Sequence, residues 1–368
     1  MRRPVYLDYN ATAPVRPAVA TAMADALTAV GNPSSVHGFG RAARARLETA
    51  REQVAALVGA RPAQVVFTSG GTESNNLALT GVRRERVLVS AIEHDSVLKV
   101  TAAETIPVDR SGIVDLAALA RLLTGRSEPA VVAVMLANNE TGVIQPVADV
   151  ARIAHEHGAL LQCDAVQAVG KIVVDFNALG ADLMTVSAHK LGGPAGVGAV
   201  IVADHVNLAA QQRGGGQERG RRAGTENLAG IVGFGVAAEI AAAELGTAAG
   251  LAALRDELER RAMAAVPGAV LFGREVARLP NTSCLALPGV SSELQVMALD
   301  LAGVAVSAGS ACSSGKVQPS HVLRAMGADA ATAGSAIRVS LGWQSTAEDV
   351  ERILEAWCAL AARSRAAA

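Results

Sequence analysis

The segment SAHKLGGPAGVG places Lys190 shortly after an apolar run, Leu183–Ser187, that is predicted to be a buried strand. A lysine at such a strand end is costly unless it is neutral, paired or covalently consumed, and Schiff-base lysines meet that condition. Ser187 and His189 emerge at the same point, directly before a glycine-rich loop. In open α/β sheets ligands bind outside the carboxyl ends of the strands, so this end is a candidate site.

Two other predicted strand ends carry groups that complement this lysine. The segment SGGTESNN contains Gly71 and Thr72 at the start of a helix, which makes it an anion cradle, although a glycine turn with a helix cap has the same appearance. The segment DAVQAVGK presents Asp164 and Gln167, and a buried carboxylate requires a cationic partner. A phosphate cradle, an acid for a protonated ring nitrogen and a strand-end lysine are the parts of a pyridoxal-phosphate site.

Two more strand ends add candidates whose ordinary structural roles remain open. His94 in AIEHDSV follows a predicted strand, where a histidine also serves for capping or packing. Asn138 and Asn139 in ANNETGVIQP are amides at the same edge, and amides there also form turns.

Cys312 differs from the other cysteines in its surroundings. It lies in VSAGSACSSGKVQPS, among small and flexible residues that favour a loop over an apolar core. We interpret it as a reactive thiol. Cys163, Cys284 and Cys358 lie in apolar sequence, which favours packing. The four cysteines form no C-x-x-C pair, so neither a disulfide framework nor a metal site is expected.

These candidates must be positioned by a mainly parallel sheet flanked by helices, because β-branched runs alternate with amphipathic stretches over residues 60–205. The predicted strands are Val65–Thr68, Arg86–Ser90, Ala130–Leu136, Leu160–Cys163, Leu183–Ser187 and Val197–Val202. The last two are joined by a loop too short for a crossover helix, so that pair is predicted to be antiparallel. The predicted helices are Pro17–Val30, Arg41–Val58, Thr72–Val82, Leu116–Thr124, Val147–His157, a tract from Arg219 to Val266, and a final helix from Thr346.

Length and composition favour an α/β protein of two domains. With 368 residues the chain exceeds the usual size of one core, and the helical break near Gly246–Gly250 predicts the boundary. We predict a large domain over residues 14–249 and a smaller α+β domain formed by residues 1–13 and 250–368. The formal net charge is -1, which gives no sign of direct nucleic-acid binding. The N-terminus has no signal-like apolar region, and no uninterrupted apolar run reaches the roughly 18 residues of a membrane span, so we expect a cytoplasmic protein.

Motifs along nearly the whole chain resemble cysteine desulfurases of the NifS/IscS type, in that family's order. The resemblance rests on YLDYNATAP, GNPSSVHGFGR, FTSGGTESNN, IEHDSVL, LANNETGVIQP, QCDAVQAVGK, SAHKLGGPAGVG, GGGQERGRRAGTEN, SAGSACSSG and IRVSLG. It implies a fold-type-I pyridoxal-phosphate homodimer of the class V aminotransferase family. It also implies conversion of L-cysteine to L-alanine with a persulfide on Cys312. The long loop around Cys312 resembles the subgroup in which this segment hands sulfur to an acceptor or scaffold protein.

The resemblance also assigns roles to individual residues. Lys190 would hold the cofactor and act as base, and Asp164 would pair with the pyridinium nitrogen. The ring would be contacted by His94, which could also move protons, and by Gln167 at the phenolic oxygen. The remaining predicted contacts are Gly71, Thr72, Ser187 and His189 at the phosphate, Thr225 from the partner subunit, Asn139 at cofactor and substrate, and Arg338 at the substrate carboxylate. Ala13 stands where many members have threonine.

Three alternatives remain open from the sequence alone. A selenocysteine lyase or an aminotransferase would share Lys190 and Asp164 without needing Cys312. GFGRAA at Gly38–Ala43 weakly suggests a nicotinamide-dependent enzyme, but no strand precedes it. A scaffold that only carries persulfide would need no cofactor.

Overall fold

The computed structural model describes residues 3–309 and 319–367. The helices are α1 Pro17–Thr28, α2 Gly38–Leu57, α3 Gly71–Gly81, α4 Asp95–Leu98, α5 Leu116–Leu123, α6 Val147–Glu156, α7 Leu228–Glu244, α8 Ala248–Ala265, α9 Ser292–Leu301, α10 His321–Ala325, α11 Ala330–Gly334 and α12 Ala347–Ala367. The strands are β1 Val5–Tyr6, β2 Val65–Thr68, β3 Arg86–Ser90, β4 Glu104–Ile106, β5 Ala130–Ala133, β6 Leu160–Asp164, β7 Leu183–Ser187, β8 Gly198–Val202, β9 Val270–Leu271, β10 Thr282–Ala286, β11 Val304–Ala305, β12 Ser307–Ala308 and β13 Ala336–Ser340.

Within the described ranges, a seven-stranded sheet has the order β2-β8-β7-β6-β5-β3-β4. All its neighbouring pairs from β7 to β4 are parallel, whereas β8 is antiparallel to both β7 and β2. The predicted antiparallel pair, β7 and β8, is therefore confirmed. Because β2 runs in the same direction as the parallel strands, the carboxyl ends of β2, β3, β5, β6 and β7 meet at one edge.

The strands of this sheet are almost uniformly apolar because both faces of the sheet are covered. Residues of β5, β6 and β7 are buried along their whole length, as expected for parallel strands covered on both faces. The same apolar core includes side chains of α1, α2, α3, α5, α6 and α7. The tract Leu228–Ala265 is long and apolar enough to cross a membrane by composition, but half of its apolar window is buried. Its first part, α7, packs on α1 and α2, as a core helix does.

A second, smaller core joins the beginning of the chain to its last third. β1 pairs in parallel with β11, and the antiparallel sheet β12-β13-β10-β9 lies in the same part of the chain. Val5 and Leu7 pack there with residues of α8, α9 and α12. The buried Trp357 donates its indole N–H to Gln295 Oε1 at 2.9 Å, which satisfies its polar atom. The exact domain boundaries stay a prediction.

Three predicted elements differ from the structure by three residues or more at one end. Strand β5 ends at Ala133, because the Met135 N–H donates to the side chain of Glu93 instead of a neighbouring strand. The helix predicted from Arg219 begins at Leu228, where Asn227 caps it, since Glu218 and Arg219 adopt left-handed φ values of 45° and 58°.

Helix α2 begins at Gly38 instead of Arg41, because His37 Nδ1 caps it by accepting the Gly40 N–H. The three-residue strand β4 was not predicted at all.

Candidate active site

A cavity of about 250 Å³ opens at the edge where the parallel strands end. It is lined by nine residues predicted from the sequence, namely Gly71, Thr72, His94, Asn139, Asp164, Gln167, Ser187, His189 and Lys190. Asn75 and Ser96, which were not predicted, line it as well. The sheet topology therefore brings together groups that are up to 119 residues apart in sequence, from Gly71 to Lys190.

One end of the cavity is built for an anion. Gly70, with φ of 152°, caps α3, whose first N–H groups lack partners in the helix. A Cβ added at Gly71 would lie 3.2 Å from Val166 Cγ2, so a side chain there would fill the cradle. Ser187 is buried, yet its hydroxyl has no hydrogen-bond partner in the described part of the chain. An orphaned hydroxyl facing a helix N-terminus fits a phosphate group.

His189 contributes to this end as a neutral ring. Its Nδ1 lies 3.1 Å from Thr12 Oγ1. Burial, followed by the charge of Lys190, lowers the pKa of His189 to about 4. At neutral pH its ring therefore offers hydrogen bonds without adding a positive charge.

Asp164 provides the acid at the end of β6. Its Oδ2 accepts the Asn75 amide at 2.8 Å and its Oδ1 accepts the Val166 N–H at 3.0 Å. It is only 7% exposed, and its hydrogen bonds within the described residues come from neutral donors. A buried carboxylate with only neutral partners fits a ligand that brings its own positive charge, such as a protonated pyridine nitrogen.

Asn75 and Ser96 connect this acid to His94. Asn75 Nδ2 also donates to Ser96 Oγ at 2.9 Å, and Ser96 Oγ lies 2.8 Å from His94 Nδ1. Because Nδ1 accepts the Ser96 backbone N–H as well, a neutral His94 ring carries its proton on Nε2. The sequence prediction missed both residues, because Asn75 resembles an ordinary polar residue of a helix and Ser96 one of a short turn.

Lys190 lies in the turn that follows β7, and its Nζ donates to main-chain carbonyls. The acceptors are Asn10 O at 2.6 Å and Ala11 O at 2.8 Å. Asn10, which is 1% exposed, was quoted in a motif but was not predicted as a site residue. Its carbonyl also accepts Gln167 Nε2 at 2.9 Å, so the N-terminal segment holds both side chains.

The model of the class-V aminotransferase family matches residues 5–353. The chain belongs to the class-V aminotransferase family.

Relatives of this family member match almost its whole length. It is 44% identical to a cysteine desulfurase of Cereibacter sphaeroides, over 95% of this chain and 94% of the relative. It is 41% identical to an IscS-like cysteine desulfurase of Mycobacterium tuberculosis, over 99% and 98%. The solved structure of a NifS-like protein from Rickettsia africae superposes with a TM-score of 0.90 at 34% identity, covering 96% and 98%. The predicted family and fold class are confirmed.

Arg338 reaches this class-V site from the small sheet. It lies on β13, is 5% exposed, and donates from Nη1 to Asn139 O at 3.2 Å and from Nη2 to Asp8 Oδ1 at 2.7 Å. It does not line the cavity itself, although its neighbour Asn139 does. Its buried Nε has no partner among the described residues, so the N–H on this atom is available to a ligand.

The carboxyl group of Glu140 lies close to Gly309 and Ser320, which flank residues 310–318 in the sequence. Ser320 Oγ donates to Glu140 Oε2 at 2.5 Å, and a Cβ on Gly309 would lie 2.5 Å from the same oxygen. Burial raises the pKa of Glu140 to about 7. Cys312 itself lies outside the described residues.

Thr225 and the cysteines Cys163, Cys284 and Cys358 do not line this cavity. Thr225 lines a separate pocket with Ser69, so any role of Thr225 at the cradle of its own subunit is not supported by this placement. Cys163 and Cys284 are fully buried, and burial raises the pKa of both thiols, as predicted for packing residues. Cys358 packs partly against the small core.

The nicotinamide alternative has no structural support. GFGRAA lies in the first turns of α2, which follows α1 without an intervening strand. A dinucleotide fingerprint needs a strand before the glycines and a helix after them.

Proposed function

We propose that this chain is a pyridoxal-phosphate-dependent cysteine desulfurase. The observation that carries the proposal is the convergence of Lys190, Asp164 and the unpartnered Ser187 hydroxyl in one cavity. The names of the relatives support L-cysteine as the substrate, and removal of its sulfur leaves L-alanine as the product.

The residues present fit the cofactor group by group. Gly71, Thr72, Ser187 and His189 would hold the phosphate, Asp164 the pyridinium nitrogen, and Gln167 the phenolic oxygen. His94 would lie against the ring and Lys190 would bind the aldehyde carbon. When bound, pyridoxal phosphate supplies an electron sink for a carbanion at the α-carbon of an amino acid.

Lys190 is the group placed to move the α-proton. Its Nζ is held by the carbonyls of Asn10 and Ala11 while it is at rest. As a free amine just after the end of β7, Lys190 would act as the base that takes this proton. Arg338 and Asn139 would hold the substrate carboxylate, and a carboxylate that takes the place of Asp8 would gain a charge-assisted pair with Arg338.

Cys312 is the proposed sulfur acceptor. Its thiolate attacks the sulfur of the substrate, so an S–S bond forms while the C–S bond breaks. The β-carbon of the substrate is reduced to the methyl group of alanine, and the transferred sulfur is oxidised to the persulfide level. The proton of the Cys312 thiol is counted in the new methyl group. One L-cysteine and one thiol thus give one L-alanine and one persulfide, without any other oxidant or reductant.

We also propose a cytoplasmic homodimer that delivers sulfur to an acceptor or scaffold protein, for iron–sulfur cluster assembly or thiolation. Exposed apolar side chains at the end of α1 and the start of α2 support self-association, namely Leu27, Val30, Val36 and Phe39. The placement of Thr225 outside its own cavity supports a contact with the partner's site.

The test uses the purified chain loaded with pyridoxal phosphate, and measures alanine and, with a thiol reductant, sulfide. L-Cysteine should give both products in equal amounts. Lys190→Ala and Cys312→Ala should each abolish alanine formation, but only Lys190→Ala should prevent covalent capture of the cofactor by borohydride.

Lys99→Ala and Cys358→Ala are the matched controls, since Lys99 is exposed and Cys358 packs at the small core. Turnover retained by Cys312→Ala would reject the assignment of the acceptor thiol. Turnover of selenocysteine or an α-keto acid without turnover of cysteine would identify a selenocysteine lyase or an aminotransferase instead.

A further inference from the structure

A second lysine, Lys171, lies beside the active site without a part in the proposed chemistry. It borders a larger cavity of about 540 Å³ that also touches Lys190. Its side-chain nitrogen lies between two buried residues, Asn10 and Gln167. The sequence analysis quoted it only as the last letter of QCDAVQAVGK.

The contacts of Lys171 restrict the amide of Gln167. Lys171 Nζ donates to Gln167 Oε1 at 2.7 Å and to Asn10 Oδ1 at 2.8 Å. An amino group has at least two N–H donors in either protonation state, which is what these two acceptors need. Burial, followed by the charges of Lys190 and Arg338, holds the pKa of Lys171 well below its usual range.

The other half of the amide is fixed by a main-chain carbonyl. Gln167 Nε2 donates one N–H to Asn10 O at 2.9 Å, and a carbonyl oxygen can only accept. With Oε1 turned to Lys171, the second N–H of Nε2 is the part of the amide left for a ligand in the cavity. A reversed amide would place its oxygen against the Asn10 carbonyl and leave Lys171 without this acceptor.

We propose that Lys171 is a positioning residue that orients the Gln167 amide as a donor toward the cofactor's phenolic oxygen. The inference rests on the proposed function, because it concerns how this chain receives pyridoxal phosphate. A fixed N–H donor stabilises that oxygen as an anion, whereas an amide oxygen in its place would repel it. Lys171 acts through Gln167 and makes no contact with the substrate.

The experiment measures the pH midpoint of the visible absorbance of the bound cofactor. Lys171→Met removes the donors and keeps the apolar stem, and should raise the midpoint by about one pH unit, which is a tenfold change in proton affinity. Lys171→Arg keeps N–H donors and should stay within about 0.3 pH units of the unmodified chain. The dissociation constant of pyridoxal phosphate serves as a second readout and should increase for Lys171→Met.

Other charged groups around the cavity also affect this midpoint. Asp164, His94, His189 and Lys190 face the cavity from the large sheet, and Arg338 with Asp8 approaches from the small one. A direct effect of the Lys171 charge must therefore be separated from its effect on the amide.

The double variant Lys171→Met with Gln167→Ala distinguishes the direct effect of the Lys171 charge from its effect through the amide. If Lys171 acts through the amide, Gln167→Ala alone raises the midpoint, and adding Lys171→Met changes it no further. A shift from Lys171→Met that persists fully in the Gln167→Ala background would overturn the proposal, as would an unchanged midpoint in folded Lys171→Met. If Lys171→Met does not fold, Lys171→Leu, which also lacks N–H donors, should raise the midpoint in the same direction, and no shift in that variant would overturn the proposal.

The two proposals fail in different ways. A chain with intact Lys171 that develops no visible absorbance with pyridoxal phosphate would reject the proposed function and this inference with it. Normal absorbance and turnover with an unaffected Lys171→Met would reject only the role of Lys171.

Discussion

The two sheets contribute to the site in different ways. The large sheet places Asp164 and Lys190 at or just after strand ends, where the backbone turns and side chains face a cavity. The small sheet contributes Arg338 from the middle of β13, where it is buried between Asp8 and Asn139. Lys190 and Asp164 therefore line a cavity that fits the proposed cofactor, whereas Arg338 lies outside that cavity and, in the proposed function, would exchange Asp8 for a substrate carboxylate.

The largest effect is expected at the parallel edge, from Asp164→Asn. This change keeps the size of the side chain but removes the negative charge that would stabilise a protonated ring, so alanine formation should fall by about a thousandfold or more. Steady-state assays of alanine give the measurement. Asp300→Asn, at an exposed position of α9, is the control and should retain full activity. Equal activity of the two variants would contradict the assignment of Asp164.

The next effect depends on pH and concerns the buried carboxyl of Glu140, which accepts from Ser320. The pKa of Glu140 is raised from 4.5 to about 7, so the folded state binds its proton more tightly than the unfolded state does. Protonated Glu140 therefore contributes to the free energy of unfolding below pH about 4.5, and this contribution is lost as pH rises to about 7. The loss is at most about 3 kcal/mol.

Glu140→Gln should remove this contribution to the pH dependence, because a neutral amide can still accept from Ser320. Thermal unfolding at pH 5 and pH 8 measures the effect, and the difference between the two should be smaller in the variant. Exposed Glu85→Gln should behave like the unmodified chain. An unaltered pH dependence for Glu140→Gln would show that this carboxyl is not the titrating group.

Arg338→Lys tests the small sheet as the substrate-binding side. Lysine keeps the positive charge but loses the planar pair of N–H donors, so KM for cysteine should rise about thirtyfold, equivalent to about 2 kcal/mol, with a smaller change in kcat. Arg274→Lys, which is exposed, should leave both constants unchanged. A fall in kcat at constant KM would place Arg338 in the chemical step instead.

The smallest effect is expected from Ser96→Ala, which interrupts the connection between His94 and Asp164. The loss of the two hydrogen bonds of this hydroxyl, to Asn75 and to His94, should reduce the free energy of unfolding by about 2 kcal/mol and change turnover severalfold at most. Chemical denaturation measures the first value, with Ser127→Ala at an exposed position as the control. A loss of turnover as large as that of Asp164→Asn would mean that Ser96 takes part in proton transfer.

The site residues that the sequence could predict follow the strands of the large sheet. Lys190, Asp164 and His94 were found because each comes close after an apolar run, and the topology of a parallel sheet then brings strand ends together. Asn10 and Lys171 were missed as site residues because their importance comes from contacts with each other and with Gln167, over more than 150 residues of sequence in the case of Asn10. Their positions have no local pattern that distinguishes them from other polar residues.

The irregular backbone at Glu218 and Arg219 was also not predicted. The tract after Arg219 has helical apolar spacing, but Glu218 accepts from Arg51 and from the Phe67 N–H in the core, which holds a turn where a helix was predicted. A long-range buried ion pair of this kind overrides local propensity.

The resting position of Lys190 has a consequence for directed evolution. Its acceptors are the main-chain carbonyls of residues 10 and 11, and every amino acid supplies such a carbonyl. Randomising the side chains at those two positions would leave these acceptors in place wherever the path of the chain is kept. Libraries that vary the length of the segment 8–13, and not only its composition, would explore new placements of the lysine.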